Sequence, residues 1–297
     1  MSYPYLSDLV RETTGISIPL PIPMFGLTVA CAVLVGMWVA GREFERISLS
    51  GVPKEPIVAG AATPRNVMSD LGAVVVLAGI VGARIFSVFE SSDSWNEFIA
   101  HPWATLFSRT GFAYYGGLIF GTIAGVIFIK RKALPIRAVL DAVAPAIMIG
   151  YAIGRIGCQL SGDGDWGIAA DMASKPNWLP LWLWAQTYEH NIAGVVIAAP
   201  GVYPTPIYET IMSLIAFAIL WSVCKHSRQS GWLFSLFLVL SGIERFLIEL
   251  IRVNATIEIG GLKATQAEII SSLLVLCGTS GLILFRRHRA AVTISRS

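Results

Sequence analysis

Apolar residues in this chain are gathered into long blocks. They neither alternate with polar positions, as on a half-buried strand, nor recur at spacings of three and four, as on the face of a soluble helix. Blocks of about 17 to 20 residues fall near positions 24–40, 71–89, 113–130, 138–157, 207–224, 232–251 and 266–285, each long enough for the roughly 30 Å hydrocarbon core of a bilayer. Lipid offers the backbone no hydrogen-bond partner, so each block must fold as a helix. The pattern predicts an all-α integral membrane protein with seven transmembrane helices, a single domain over 1–297. The longest stretch outside the blocks, 158–206, is then a cap on one membrane face. It carries Trp166, Trp178, Trp182 and Trp184, and its LPLWLWA segment reads either as a part that dips into the membrane or as an ordinary aromatic anchor in the headgroup zone.

Composition agrees: 55% of the residues are hydrophobic and 14% charged, with a mean hydropathy of +0.66. A soluble domain, a secreted disulfide scaffold and a nucleic-acid binder are all excluded by such a balance. The four cysteines, Cys31, Cys158, Cys224 and Cys277, show no CxxC spacing, so neither a metal site nor a disulfide framework follows, and nothing else in the chain implies a metal or an organic cofactor. The first fifteen residues are polar and contain acids, which argues against a cleaved signal peptide.

The net charge is only +3, and its placement says more than its size. Fourteen lysines and arginines, including Arg42, Arg46, Arg65, Lys130, Arg131 and Arg137, fall in segments on one side of the seven blocks, against five on the other. Positive residues stay on the cytoplasmic side, so the N-terminus and the cap are expected outside and the C-terminus inside.

Three arginines remain, Arg84, Arg155 and Arg245, inside or at the outer ends of the second, fourth and sixth blocks. An arginine within the bilayer costs about 2.5–3.5 kcal/mol on insertion scales, which favours a function for them. The plainer alternative is snorkelling, or structural pairing with Asp141, Glu209, Glu244 or Glu249. Around Arg155 the chain reads GYAIGRIGCQLSGDGDWG. Gly154 and Gly157 expose the backbone to a ligand, and a guanidinium beside free N–H groups suits a phosphate. A glycine-rich helix end with one snorkelling arginine explains the same residues without a ligand. The row Gly117, Gly121 and Gly125 reads as a helix-packing stripe.

With these segments in hand, the chain resembles the prolipoprotein diacylglyceryl transferases. GRIGCQLSGDGDWG is similar to that family's signature, and Phe25-Gly26, GARIF with Arg84, YYGGLIFG, DAVAP, PTPIYE and ERFLIELIR follow in the family's order. The resemblance implies transfer of a diacylglyceryl group from phosphatidylglycerol to the lipobox cysteine thiol in the signal-peptide region of a prolipoprotein, in the bacterial cytoplasmic membrane, without a cofactor. It implies Arg155 and Arg245 as the essential pair gripping phosphate, Tyr208 and Glu209 as the family's Tyr-Glu pair, and Glu249 and Arg252 as the acid and base after the second arginine. Phe25, Arg84, Gly154, Gly157 and Asp163 complete the expected substrate contacts. Two positions depart from the pattern. Tyr115 stands where the family has a histidine, and Cys158 where it has an asparagine. Tyr115 is a poor base at neutral pH. A diverged relative that binds phospholipid or lipoprotein without chemistry is therefore the alternative, and an anion transporter a more distant one, disfavoured by the lack of internal repeats.

Overall fold

The computed structural model describes residues 2–17, 19, 22–50, 63–106, 113–225, 229–252, 254, 256–259 and 262–294. Lys54, Arg109, Arg228 and Arg296, which enter the charge pattern, lie outside them. In chain order the elements are α1 (Leu6–Thr14), α2 (Met24–Leu49), α3 (Pro64–Val88), α4 (Ser92–Ala100), α5 (Pro102–Leu106), α6 (Tyr114–Arg131), α7 (Ile136–Ser161), a 3-10 turn (Leu181–Leu183), α8 (Thr205–Cys224), α9 (Trp232–Glu249), β1 (Thr256–Ile259), β2 (Leu262–Thr265) and α10 (Gln266–Ile294).

Five helices are long and apolar enough to cross a membrane: α2, α3, α7, α8 and the Gln266–Phe285 part of α10. The two other expected spans are present as helices of 18 residues, α6 and α9. Polar residues shorten their apolar stretches, since α6 ends in Lys130 and Arg131 while α9 carries Glu244, Arg245 and Glu249. The fold is that of a helical integral membrane protein. One departure from an all-helical chain is the antiparallel pair β1–β2, in register Thr256 to Thr265, and the short helices α1, α4 and α5 were not visible in the apolar blocks. Periodicity cannot reveal elements this short. Helices α2 and α3 also run into the polar residues beyond their blocks. Thr63 caps α3, its side chain accepting from the Asn66 N–H at 3.4 Å, with Pro64 preset at the first helical position.

By their contacts the described residues form two compact units, one of 1–39 with 143–297 and one of 40–142. In the second unit α3 and α6 pack through glycines. Gly117 and Gly121 lie so close to α3 that an added Cβ would meet the Gly79 and Val75 carbonyl oxygens at 3.3 Å, and Gly116 touches Gly82 and Phe86. Small residues drive this approach because lipid supplies no hydrophobic force between helices. In the first unit Ala144 and Met148 of α7, Ala216, Leu220 and Cys224 of α8, and Leu233 and Phe237 of α9 form one buried cluster. Gly242 and Gly278 let α9 and α10 meet, with an added Cβ 2.8 and 2.7 Å from the Ser271 and Ser235 carbonyl oxygens. Leu34, Leu77 and Leu276 remain 63–65% exposed on long helices, as hydrocarbon-facing side chains do.

The cap belongs to the first unit and is tied down by polar contacts. Tyr188, buried, donates to Gln159 Oε1 at 2.8 Å, Gln159 donates to Gln186 Oε1 at 2.8 Å, and the Trp166 and Tyr188 rings lie 5.1 Å apart. Gly167 pairs with Arg252, which binds the start of the cap to the end of α9. Trp178 and Trp182 stay exposed, as headgroup-zone aromatics would be.

Candidate active site

The first unit gathers charge where the ends of α7, α8 and α9 meet the cap. Tyr151 and Arg155 lie one turn apart on α7, and the Arg155 guanidinium sits 4.9 Å from the Tyr151 ring centroid. Glu209, on the second turn of α8 and fully buried, is the hub. It accepts a hydrogen bond from the Tyr151 hydroxyl at 2.9 Å and faces Arg155 Nε at 3.3 Å, Arg252 at 3.8 Å and Arg245 at 3.9 Å. On α9 the spacing of Arg245 and Glu249 puts both charges on one face, where Arg245 pairs with Glu249 Oε2 at 3.0 Å, and Arg252 follows just beyond the end of the helix.

The turn after α7 closes the ring. Gly162 and Gly164 hold φ of 61° and 100°, a left-handed backbone that side-chain-bearing residues rarely adopt, and this brings Asp165 back toward α7. Asp165 bonds to Arg155 with one carboxylate oxygen and accepts from Arg252 with the other, at 2.6 Å for the latter. Thr205, at the start of α8, anchors the turn by donating to the Asp165 carbonyl at 2.5 Å. Burial alone raises the Asp165 carboxyl, but the Arg155 and Arg252 guanidiniums outweigh that and hold it below its ordinary value of 3.8, so it is ionised at neutral pH. Three guanidiniums therefore stand against three carboxylates, Asp165, Glu209 and Glu249. Such pairing is what allows charges to be buried at all.

The ring is not fully satisfied. Glu209 Oε2 and Glu249 Oε2 are buried without a hydrogen-bond partner, although each faces a guanidinium. Arg245 is the most open of the three arginines, its side chain 28% exposed against 14% for Arg155 and Arg252. Its planar fork suits a phosphate oxygen pair, and the Arg155 and Arg252 charges lie on the same hub.

The other expected residues divide. Gly154 faces open space, since an added Cβ there would meet nothing within 4 Å, consistent with backbone access. Gly157 does not. A side chain there would strike Thr28 Oγ1 and approach Phe25 Cδ2 at 3.4 Å, so this glycine, with Phe25, serves the packing of α7 on α2. Gly154→Leu should therefore fold and slow the reaction, whereas Gly157→Leu should lose about 1–3 kcal/mol of stability by overpacking. Thermal unfolding in detergent checks this, and an unchanged melting temperature for Gly157→Leu would contradict it. The Tyr208 hydroxyl points away from the ring and donates to the Leu183 carbonyl at 2.6 Å, holding the cap. Asp163 accepts the Asp165 N–H at 3.3 Å and shapes the turn. Arg84 and Tyr115 belong to the second unit: Arg84 is buried and bonds to the Thr105 carbonyl, while Tyr115 is half exposed with its ring 5.7 Å from that of Tyr114. Of the ring members, Asp165 and Tyr151 were not singled out from the sequence. Asp165 sits in the same GDGDWG turn as Asp163, and spacing alone does not tell which acid turns inward.

Among the described residues one group has the donors for a metal ion. The ligand atoms of Cys158, Asp163 and Asp165 lie within 4.8 Å of one another. Two guanidiniums already occupy Asp165, and their positive charge opposes a cation there.

A family model described as prolipoprotein diacylglyceryl transferase matches residues 13–284 of this chain. A Leptospira interrogans protein named phosphatidylglycerol–prolipoprotein diacylglyceryl transferase is 32% identical over 204 residues, 61% of this chain and 60% of that protein. Proteins of the same name from Bacillus cereus and Bacillus cytotoxicus are 29% identical over 259 and 260 residues, 86% of each chain.

Proposed function

This chain belongs to the prolipoprotein diacylglyceryl transferase family, and on that premise we propose that it moves a diacylglyceryl group from phosphatidylglycerol to the lipobox cysteine thiol of a prolipoprotein. The thiol loses its proton, a carbon–sulfur bond forms at the glycerol carbon bearing the phosphate, and the carbon–oxygen bond to that phosphate breaks. Glycerol phosphate leaves with the electron pair and takes up the proton. The observation that carries the reading is the convergence of Arg155, Arg245 and Arg252 on Glu209. Fixed positive charge of this kind binds the lipid phosphate and stabilises the negative charge that grows on the leaving group.

The setting follows from the same reading. Seven helices cross the bacterial cytoplasmic membrane, with the N-terminus and cap outside, so the arginine ring lies at outer-leaflet depth. The lipid enters sideways between helices, because a two-chain lipid does not cross water to a site from above. Arg84 and Tyr115 are proposed as further lipid contacts, Tyr115 as a hydrogen-bond donor to the ester or phosphate. Tyr115→Phe should then lower the rate about 10–100-fold, and Tyr115→His should keep or raise it.

The test is the full chain in phosphatidylglycerol vesicles with a lipobox peptide. The expected result is release of glycerol phosphate together with the mass gain of a diacylglyceryl thioether on the peptide. A folded wild-type protein no faster than the enzyme-free control would overturn the proposal in favour of a non-catalytic lipid binder.

A further inference from the structure

Diacylglyceryl transfer to a thiol needs a group to take the thiol proton, and the first unit supplies none among the histidines whose side chains are described. The His190 backbone N–H is engaged with Ser2 Oγ at 3.1 Å, and its side chain is exposed in the cap. The remaining acceptors in the ring are carboxylates, and they are not equivalent. Asp165 is shared by two arginines. Glu209 faces three and also accepts the Tyr151 hydroxyl. Among the described residues Glu249 pairs with one arginine. Arg245 lies 3.0 Å from Glu249 Oε2, an oxygen that is buried and accepts no hydrogen bond, while Asn254 donates to Oε1 at 2.7 Å and fixes the carboxylate plane. Glu244, a further buried acid nearby, accepts a hydrogen bond from Ser213 at 3.1 Å on the α8 side.

Arg245 is also the most exposed arginine of the ring. A phosphate that engages it draws the guanidinium from the one carboxylate that depends on it. Arg155 and Arg252 remain with Glu209 and Asp165. A buried carboxylate left without its cation is costly, and taking up a proton removes that cost.

Resting on the proposed transfer reaction, we infer that Glu249 is the general base, and that lipid binding itself switches it on. The phosphate takes Arg245, Glu249 Oε2 accepts the thiol proton, the sulfur attacks the glycerol carbon, and the carbon–oxygen bond breaks toward the phosphate. The proton then passes from Glu249 to the departing glycerol phosphate, and Arg245 returns to Glu249. A base armed only by bound lipid leaves the empty enzyme unreactive, and the device needs no histidine at position 115.

The experiment follows glycerol phosphate release by the full chain in phosphatidylglycerol vesicles with a lipobox peptide, from neutral pH to about pH 9, for wild type, Glu249→Gln and Glu249→Asp. Glu249→Gln should be slower by about 100-fold or more at neutral pH and should recover as pH approaches the ordinary thiol value of about 8.5, where thiolate forms unaided. Binding of phosphatidylglycerol should persist. Glu249→Asp, which keeps a carboxylate, should be slowed less and keep the wild-type pH profile. An active wild type with a Glu249→Gln variant of equal rate at neutral pH would overturn the inference, as would a Glu249→Gln rate depressed equally at every pH. A wild type that releases no glycerol phosphate would instead overturn the transfer reading on which it rests.

Discussion

Arg155→Lys should lower glycerol phosphate release by about 100-fold or more, although it keeps the charge. Arg155 meets Asp165, faces Glu209 with Nε at 3.3 Å and lies over the Tyr151 ring at 4.9 Å. A guanidinium does all of this with one rigid plane and still offers an edge to phosphate. An ammonium is a compact point charge without a planar fork, so it cannot reach Asp165 and Glu209 in this geometry and also present a paired edge to phosphate. The loss should persist at saturating phosphatidylglycerol, because the arginine is asked to stabilise the leaving phosphate more than the bound lipid. Measurement of initial rates in vesicles decides it, and a rate within about threefold of wild type would remove Arg155 from the reaction.

Glu209→Gln should be the most destabilising conservative change in the first unit. Glu209 is fully buried and, among the described residues, is the one carboxylate facing all three arginines. Its neutral isostere leaves three guanidiniums with two carboxylates at the ends of helices that lipid surrounds. Removing one partner of a buried charge network costs about 3–5 kcal/mol because the remaining charge is left uncompensated. Thermal unfolding in detergent should show a large drop in melting temperature, larger than for Glu249→Gln, since Glu249 engages one arginine among the described residues. Equal melting temperatures for wild type and Glu209→Gln would show that the hub is not a hub.

Much of the helical framework was legible because lipid reduces the choices. A block of 17 to 20 apolar residues has no alternative to a helix, and the glycines at 117 and 121 mark a close helix contact wherever they are found. The β1–β2 pair and the short helices α1, α4 and α5 escaped because their signals are few residues long and mixed in polarity. The arginines were legible for a different reason. Charge in an apolar helix is costly, so Arg155 and Arg245 stood out without any knowledge of their partners.

The partners were another matter. Arg245 and Glu249 share a helix face by their spacing, and that is a property of sequence. That the face looks at Glu209, that Asp165 rather than Asp163 reaches the arginines, and that Gly157 packs on Thr28 while Gly154 stays open depend on how α2, α7, α8, α9 and the cap come together. The sequence by itself determined that helices form and that some of them must bury charge, because those outcomes follow from local composition set against the bilayer. Only the tertiary structure decided which acid neutralises which arginine and which oxygens are left unpaired, because electrostatic pairing acts over a few ångströms between segments that are up to 87 residues apart in the chain.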